Sequence, residues 1–191
     1  MRTALERLGV TSRGLESRVR TVEVKRHQLL MSAGDDPDAS GLVVSGVVRE
    51  YYQLDDGTER TRGFAFPGDT YGSLSDALSK RPSRVFVRAE KASVVLTVAW
   101  STIDELASTS LEWERLRHTL VRRLYLRKSV REYELLALDA LGRYQSLLAQ
   151  HPRIEEQVSQ VLIASYLGIT PVHLSRLRSG LKATTMKRRS G

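Results

Sequence analysis

Hydrophobic and polar positions give the chain two textures. Between residues 21 and 100, short apolar or alternating runs are punctuated by Gly34, Gly41, Gly46, Gly57, Gly63, Gly68 and Gly72. The stretch 41–52 is β-branched and aromatic, and 85–89 and 93–98 are of the same kind, so all three predict strands. Asp55-Asp56-Gly57 is hairpin chemistry, because glycine supplies the positive φ of a tight turn, and Pro67-Gly68-Asp69 is a second turn. Many short strands with turns about every 8–12 residues predict a sandwich or small barrel. Residues 1–20, with Leu5, Leu8, Leu15 and Val19 as apolar positions, predict a short, poorly patterned N-terminal helix.

From 102 to about 136 the period is helical, with Ser101 or Thr102 as the expected cap and Asp104 or Glu105 as its capping-box partner. No proline lies between Pro82 and Pro152, and no glycine between Gly72 and Gly142. Trp113, Leu116, Leu120 and Leu124 fall on one stripe. A helix of about 50 Å, at 1.5 Å per residue, outreaches a small domain. Its stripe is expected to form a coiled-coil dimer seam; the alternative is that the β domain covers it. Residues 138–150 predict a further helix, ended by His151-Pro152.

The next segment carries the most specific local pattern. In 157–180, Val161, Ala164 and Leu167 are read as one helical face, and Gly168 as a left-handed helix end. Ile169 fills the gap between two helices. Thr170 is an N-cap, with Pro171 at the first helical position, where a missing N–H is harmless. Leu174 and Leu177 face inward, leaving Pro171, Val172, His173, Ser175, Arg176 and Arg178 outward. This is a helix-turn-helix, whose second helix enters the major groove. Ser159, Thr170, Pro171, Val172, His173, Ser175, Arg176, Arg178 and Lys182 are the expected DNA contacts. Arg176 is the expected base reader, because arginine bonds guanine O6 and N7 together; a phosphate contact is its alternative. Ser175, Thr170 and the helix-start N–H groups suit phosphates.

Charge sharpens this picture. The net charge of +8 is uneven: residues 1–100 carry 15 Lys/Arg against 13 Asp/Glu, and residues 101–191 carry 15 against 9. Residues 157–191 hold six basic side chains, Lys187, Arg188 and Arg189 among them, and no acid, the footprint of a polyanion partner. The 191 residues contain no cysteine, which excludes disulfides, thiolate catalysis and cysteine-held metal or iron–sulfur centres and fits a reducing cytoplasm. No apolar run approaches 18 residues and no secretory leader is visible, so no membrane partner is expected.

With this order of parts the chain resembles the Crp/Fnr superfamily of bacterial transcription regulators. The resemblance covers about residues 15–180. It is carried by Gly46-Val47-Val48-Arg49, Asp56-Gly57-Thr58-Glu59, Pro67-Gly68-Asp69-Thr70-Tyr71-Gly72, Leu141-Gly142-Arg143-Tyr144, and above all Ala164 to Pro171 with Leu174-Ser175-Arg176. It implies an α+β chain. Residues 1–100 would form an antiparallel β-roll or jelly roll of cyclic-nucleotide-binding type, 101–136 a long dimerisation helix, and 137–191 a winged helix-turn-helix domain with a basic tail.

The departures from the family pattern matter. Its cyclic-nucleotide binders carry Gly-Glu-Leu and then Arg-Ser/Thr-Ala, the Glu for the ribose hydroxyl and the Arg for the cyclic phosphate. Here Gly72-Ser73-Leu74 lacks the carboxylate. In Ser83-Arg84-Val85 the arginine has slipped one place, which in a strand turns it to the other face. Cyclic AMP is therefore not the expected effector. Arg62, Tyr71, Gly72, Ser73, Leu74, Ser83 and Arg84 are the residues of a possible pocket for a different, unknown small molecule. Arg62, Arg81 and Arg84 would serve an anion there or else lie solvated. His27 alone in the β segment is weak ground for a haem, and His118 reads as a surface or seam residue, so no cofactor and no metal are expected. Where many members place a recognition-helix Glu, this chain has Val172, suited to a thymine methyl. The segment after Gln150 is short for a complete wing.

The resulting expectation is a cytoplasmic homodimer on a near-palindromic double-stranded site, with half-sites about 34–36 Å apart. RNA polymerase would be a further partner if the protein activates. A cupin-type enzyme would need a His/carboxylate metal triad that the β segment, with His27 alone, does not offer. No Gly-x-Ser-x-Gly elbow or Gly-Lys-Ser/Thr phosphate loop is present either. The remaining alternative is a β-roll sensor or interaction module whose helix-turn-helix docks a protein. Steep salt dependence of DNA affinity separates the two.

Overall fold

The computed structural model describes residues 17–189, with side chains to residue 181. The helix expected at 1–20 lies outside the described residues as far as residue 16; residues 17–18 form a turn, and a strand begins at Arg20. The chain forms two compact units, residues 1–127 and 128–191, and the boundary falls inside one helix.

In the first unit, eight strands make two four-stranded antiparallel sheets: β1 (Arg20–Val24), β2 (Leu29–Met31), β3 (Ala39–Ser45), β4 (Val48–Gln53), β5 (Glu59–Ala65), β6 (Thr70–Gly72), β7 (Phe86–Ala89) and β8 (Ser93–Ala99). Sheet A has the order β1-β8-β3-β6 and sheet B the order β2-β7-β4-β5. The turns read from glycine are where expected. Gly46 (φ 90°) splits the run 41–52 into two strands, Gly57 (φ 80°) closes the β4–β5 hairpin, and Gly68 (φ 97°) turns β5 into β6. Alternation on the strands sends Val43, Val48, Val87 and Val95 into a core between the sheets, all at 0% exposure. The opposite face of sheet A offers Leu42, Val44, Leu96 and Val98 to a second apolar layer.

β5 holds one residue more than β4: Glu50 pairs with Gly63 and Tyr51 with Thr61, so Arg62 is a β-bulge. Glu50 shares a strand face with the core residue Val48, and the Nε of Arg62 lies 3.9 Å from its carboxylate. Arg49, on the outer face of sheet B, is fully buried. It donates to Glu90 (2.7 Å), Thr61 (3.1 Å) and Glu59, and lies 4.1 Å over the Tyr51 ring. Arg88 bridges the same two glutamates.

Helices α1 (Leu74–Leu78), α2 (Trp100–Thr109) and α3 (Leu111–Ala137) follow. The single helix expected from 102 to 136 is therefore two. The Ser108 and Thr109 hydroxyls donate to the carbonyls of Glu105 and Leu106, competing for the acceptors that would continue the helix. Ser110 is extended (φ −145°, ψ 125°), and its carbonyl accepts the first bond of α3 from Glu114. The expected capping box at Ser101 or Thr102 does not form. Ala99 is the cap residue, and the backbone N–H and hydroxyl of Ser101 bond the Asp38 carboxylate instead.

A larger correction concerns the α3 stripe. Trp113 (4% exposed) and Leu116 (6%), with Leu120 partly buried, pack on Val19, Leu42 and Leu96 in the second layer of the first unit. Leu124 is also partly buried. The β domain covers Trp113 and Leu116, the alternative to a dimer seam at these two positions, while Leu120 and Leu124 keep part of their surface exposed. Exposed apolar side chains occur along α3 as well, and four of them, Tyr125 (68%), Leu126 (49%), Tyr133 (61%) and Leu136 (80%), lie on the side opposite the stripe.

The second unit contains the end of α3, then α4 (Ala140–Gln150), α5 (Ile154–Gln157), α6 (Gln160–Leu167) and α7 (Pro171–Arg189). Asp139 caps α4 by accepting from the Gly142 N–H. No strand occurs among the described residues of this unit, so the wing implied by the resemblance is absent from them.

Candidate functional site

The helix-turn-helix forms as its residues dictate. Ser159 caps α6, its oxygen accepting from the Leu162 N–H. Gly168 ends α6 in the left-handed conformation (φ 70°, ψ 32°), where a Cβ would be strained, and the Ile169 N–H returns to the Ala164 carbonyl. The Thr170 hydroxyl accepts from the His173 N–H, and Pro171 opens α7. Ile163, Ala164, Leu167 and Leu174 are completely buried. Val161, expected inward, is 60% exposed; Ile163 takes that place. The run Val161-Leu162-Ile163-Ala164 is continuously apolar, so its period does not discriminate between the two.

Around the start of α7, Pro171, Val172, His173, Ser175 and Arg176 are all exposed. Arg176 has no partner among the described residues. Arg178 differs: its Nε lies 2.6 Å from the Glu155 carboxylate, which also accepts from the Tyr144 hydroxyl at 2.5 Å. Burial and this carboxylate push the Tyr144 hydroxyl up to about 12. Arg178, expected as a DNA contact, is an internal strut between α5 and α7. Lys182 and the basic side chains after it lie outside the described residues.

Two more arginines hold the pair in place. Arg143 donates to the Leu167 carbonyl (3.0 Å) and the Leu138 carbonyl (2.7 Å), capturing the free end of α6. Arg131 donates to the Tyr166 carbonyl and stacks 3.9 Å over the Tyr166 ring. It also reaches Glu134 (3.4 Å), a buried carboxylate that accepts from Ser146 and Gln150. Sequence reasoning missed Arg131 and Glu134; their three-residue spacing on a helix was the available signal.

In the first unit, the residues of the expected effector pocket do not form a free anion cradle. Arg84 is 61% exposed along its side chain and donates to Asp76 through Nε (2.9 Å), Nη2 (2.5 Å) and its backbone N–H (3.0 Å). Ser73 donates to the same carboxylate at 2.7 Å. Asp76, missed by sequence reasoning, is fully buried. The signal for it was its place three residues after Ser73, a capping spacing. Ser83 is engaged with the backbone of Val85. Tyr71 is buried with its hydroxyl 2.6 Å from that of Thr97, and burial raises its pKa. The Gly72 N–H (φ 130°) donates to Glu50, while Arg62 Nη1 is buried without a partner. Leu74 lines a cavity on the helix-covered side of sheet A.

Burial raises the pKa of Asp76, but the guanidinium and N–H of Arg84 and the Ser73 hydroxyl outweigh it and hold the carboxyl at about 2. A group depressed on folding contributes stability that is full above its unfolded value, near 3.8, and is lost as pH falls through about 2. Asp76→Asn is therefore expected to be less stable than the parent at pH 7 and to lose less stability between pH 4 and 2. Parallel denaturant titrations at these pH values check it; equal acid slopes would refute the assignment.

Comparisons agree with this geometry. The cyclic nucleotide-binding domain family matches residues 21–110. The anaerobic regulatory protein of Haemophilus influenzae is 23% identical over 168 residues, 81% of this chain; the chain spans 63% of that protein's length. The structure of FixK2 from Bradyrhizobium japonicum is similar at 22% identity with a TM-score of 0.76, covering 87% of this chain and 86% of that one. A Crp/Fnr-family regulator structure from Eubacterium rectale covers 96% of this chain and 85% of its own, at 20% identity and a TM-score of 0.68. With its doubly layered β-roll, long following helix and helix-turn-helix, the chain is similar to these regulators, and residues 21–110 match the cyclic nucleotide-binding domain family.

Proposed function

We propose that this protein is a transcription regulator that binds a near-palindromic DNA site as a homodimer, through α6 and α7, without cyclic AMP. The observation that carries the reading is the exposed start of α7, with Arg176 unpartnered among the described residues and no acid in 157–191. A recognition helix reads base edges with its N-terminal residues. Arg176 bonds guanine in this arrangement, Val172 meets a thymine methyl, and the N–H groups at the starts of α6 and α7 face phosphates. The independence from cyclic AMP is supported by Arg84, whose guanidinium already has the Asp76 carboxylate, and by Glu50, an anion in the β-roll interior.

The test is selection from a random duplex library with purified protein and no ligand. Enrichment of a two-fold symmetric site, with affinity unchanged by cyclic AMP, is the expected outcome. Arg176→Ala then weakens the selected site by about 1–3 kcal/mol and relaxes one base position. Equal loss on random duplex would make Arg176 a phosphate contact. Binding without any enrichment, or binding that appears only with cyclic AMP, would overturn the proposal.

A further inference from the structure

Resting on the reading of this protein as a homodimer on a two-fold DNA site, we propose that Arg131 is the positioning residue that sets the distance between its two half-sites. Arg131 stands near the end of α3, within the second unit, and grips two neighbours at once. Its Nη2 donates to the Tyr166 carbonyl, and its guanidinium lies flat 3.9 Å over the Tyr166 ring. Its Nη1 reaches the buried Glu134 carboxylate, one turn further along α3, at 3.4 Å. Glu134 in turn accepts from Ser146 and Gln150 of α4.

Both ends of this connection bear on DNA. Tyr166 lies two residues before the Gly168 corner that launches α7, so a guanidinium fixed to its carbonyl and ring fixes the direction of that corner. On α3, the exposed Tyr133 and Leu136 stand about 200° and 140° round the helix from Arg131, at about 100° per residue. One short length of α3 therefore offers an apolar strip to a second copy on one side and holds the reading head on the other. No glycine or proline interrupts α3, so it has no ready kink point between the two. Arg143 grips the neighbouring Leu167 carbonyl from α4, which keeps α6 and α7 assembled without Arg131; the tie to α3 is what Arg131 adds.

Half-site spacing is what such a tie controls. One base pair added between half-sites moves one of them by about 3.4 Å along the duplex and about 35° around it, since a turn of about 34–36 Å holds about 10–10.5 base pairs. Two heads locked to one α3 pair do not follow that turn. They then forfeit much of the roughly 10²–10⁴-fold gain that linked heads provide when both engage.

The full-length protein is titrated with its selected duplex, with versions one base pair longer or shorter between the half-sites, and with a single half-site. The parent is expected to prefer its own spacer by about tenfold or more. Arg131→Gln combined with Glu134→Gln leaves no unpaired buried charge. It is expected to lower the preference to about threefold or less, with half-site affinity within about twofold of the parent and the dimer mass unchanged. Arg131→Lys keeps a cation beside Glu134, so it guards against misfolding, but an ammonium does not combine a planar stack with a forked donor set. It is expected to loosen the spacing as well. Equal affinity of the parent for the three spacers would overturn the proposal. So would a folded, dimeric variant with the parent's preference, or one whose half-site affinity falls as far as its full-site affinity. A parent that selects no two-fold site at all fails the DNA reading itself, a result distinct from these.

Discussion

Leu126→Glu combined with Tyr133→Glu is expected to yield a folded monomer whose operator affinity is lower by roughly 10²–10⁴-fold, the gain that linking two binding heads provides. Both side chains stand on α3 at seven-residue spacing, at 49% and 61% exposure, so neither change removes an internal contact of the apolar layer. Tyr125 and Leu136 border the same face. An apolar strip of this kind on a long helix is what a two-stranded coiled coil buries, and paired carboxylates across it repel. Light scattering gives the mass, circular dichroism the fold, and a half-site duplex separates loss of pairing from loss of reading: half-site affinity should be unchanged. A dimeric double variant would place the interface elsewhere. Leu116→Glu provides the contrast. Its side chain sits at 6% exposure beneath the β domain, so a charge there unfolds the first unit instead of separating two copies.

Arg49→Ala is expected to cost about 3–5 kcal/mol, the usual effect of removing one partner from a buried ionic group. Arg49 and Arg88 balance Glu59 and Glu90, and Glu90 is 7% exposed. Without Arg49 the cluster holds two carboxylates and one cation, with Glu90 buried and Glu59 partly so. In the parent, burial raises the pKa of Glu59, but Arg49 and Arg88 outweigh it and keep it below the ordinary value. The stability that Glu59 contributes is present above the unfolded value and is lost in acid. The deficit of Arg49→Ala should therefore shrink as pH falls and the surplus carboxylate takes up a proton. Urea titrations at pH 7 and in acid check both size and direction; a loss under 1 kcal/mol at pH 7 would show that Arg88 alone suffices.

Local chemistry was legible in the sequence, and distant partners were not. The turns at Gly57 and Gly68, and the Gly168-Ile169-Thr170-Pro171 corner, follow from φ, capping and ring geometry within a few residues, and each formed as expected. Amphipathicity showed that Trp113, Leu116 and Leu120 must be covered, but a stripe does not say by what; strands β3 and β8 do so in this chain. Arg178 looked like a DNA cation because its partner, Glu155, stands 23 positions away. Asp76 and Arg84 are separated by eight positions, across a loop whose path no periodicity encodes. The break at Ser110 is the reverse case: the three consecutive hydroxyl residues 108–110 compete locally for helix carbonyls, a signal that the sequence itself carries.

The bulge at Arg62 has an evolutionary consequence. Because the interior cation stands on a supernumerary residue, its presence in the β-roll depends on chain length as well as on codon identity. Deleting one residue from β5 would restore an even ladder from Tyr51–Thr61 to Val48–Ala65 and withdraw the charge, while the flanking pairs keep their partners. Inserting one residue into a regular strand would do the opposite. A single in-frame insertion or deletion thus changes the polarity of the chamber without altering any of its existing walls. Withdrawing Arg62 leaves the Glu50 carboxylate without its cation, so the same deletion turns an ion-paired chamber into an anionic one.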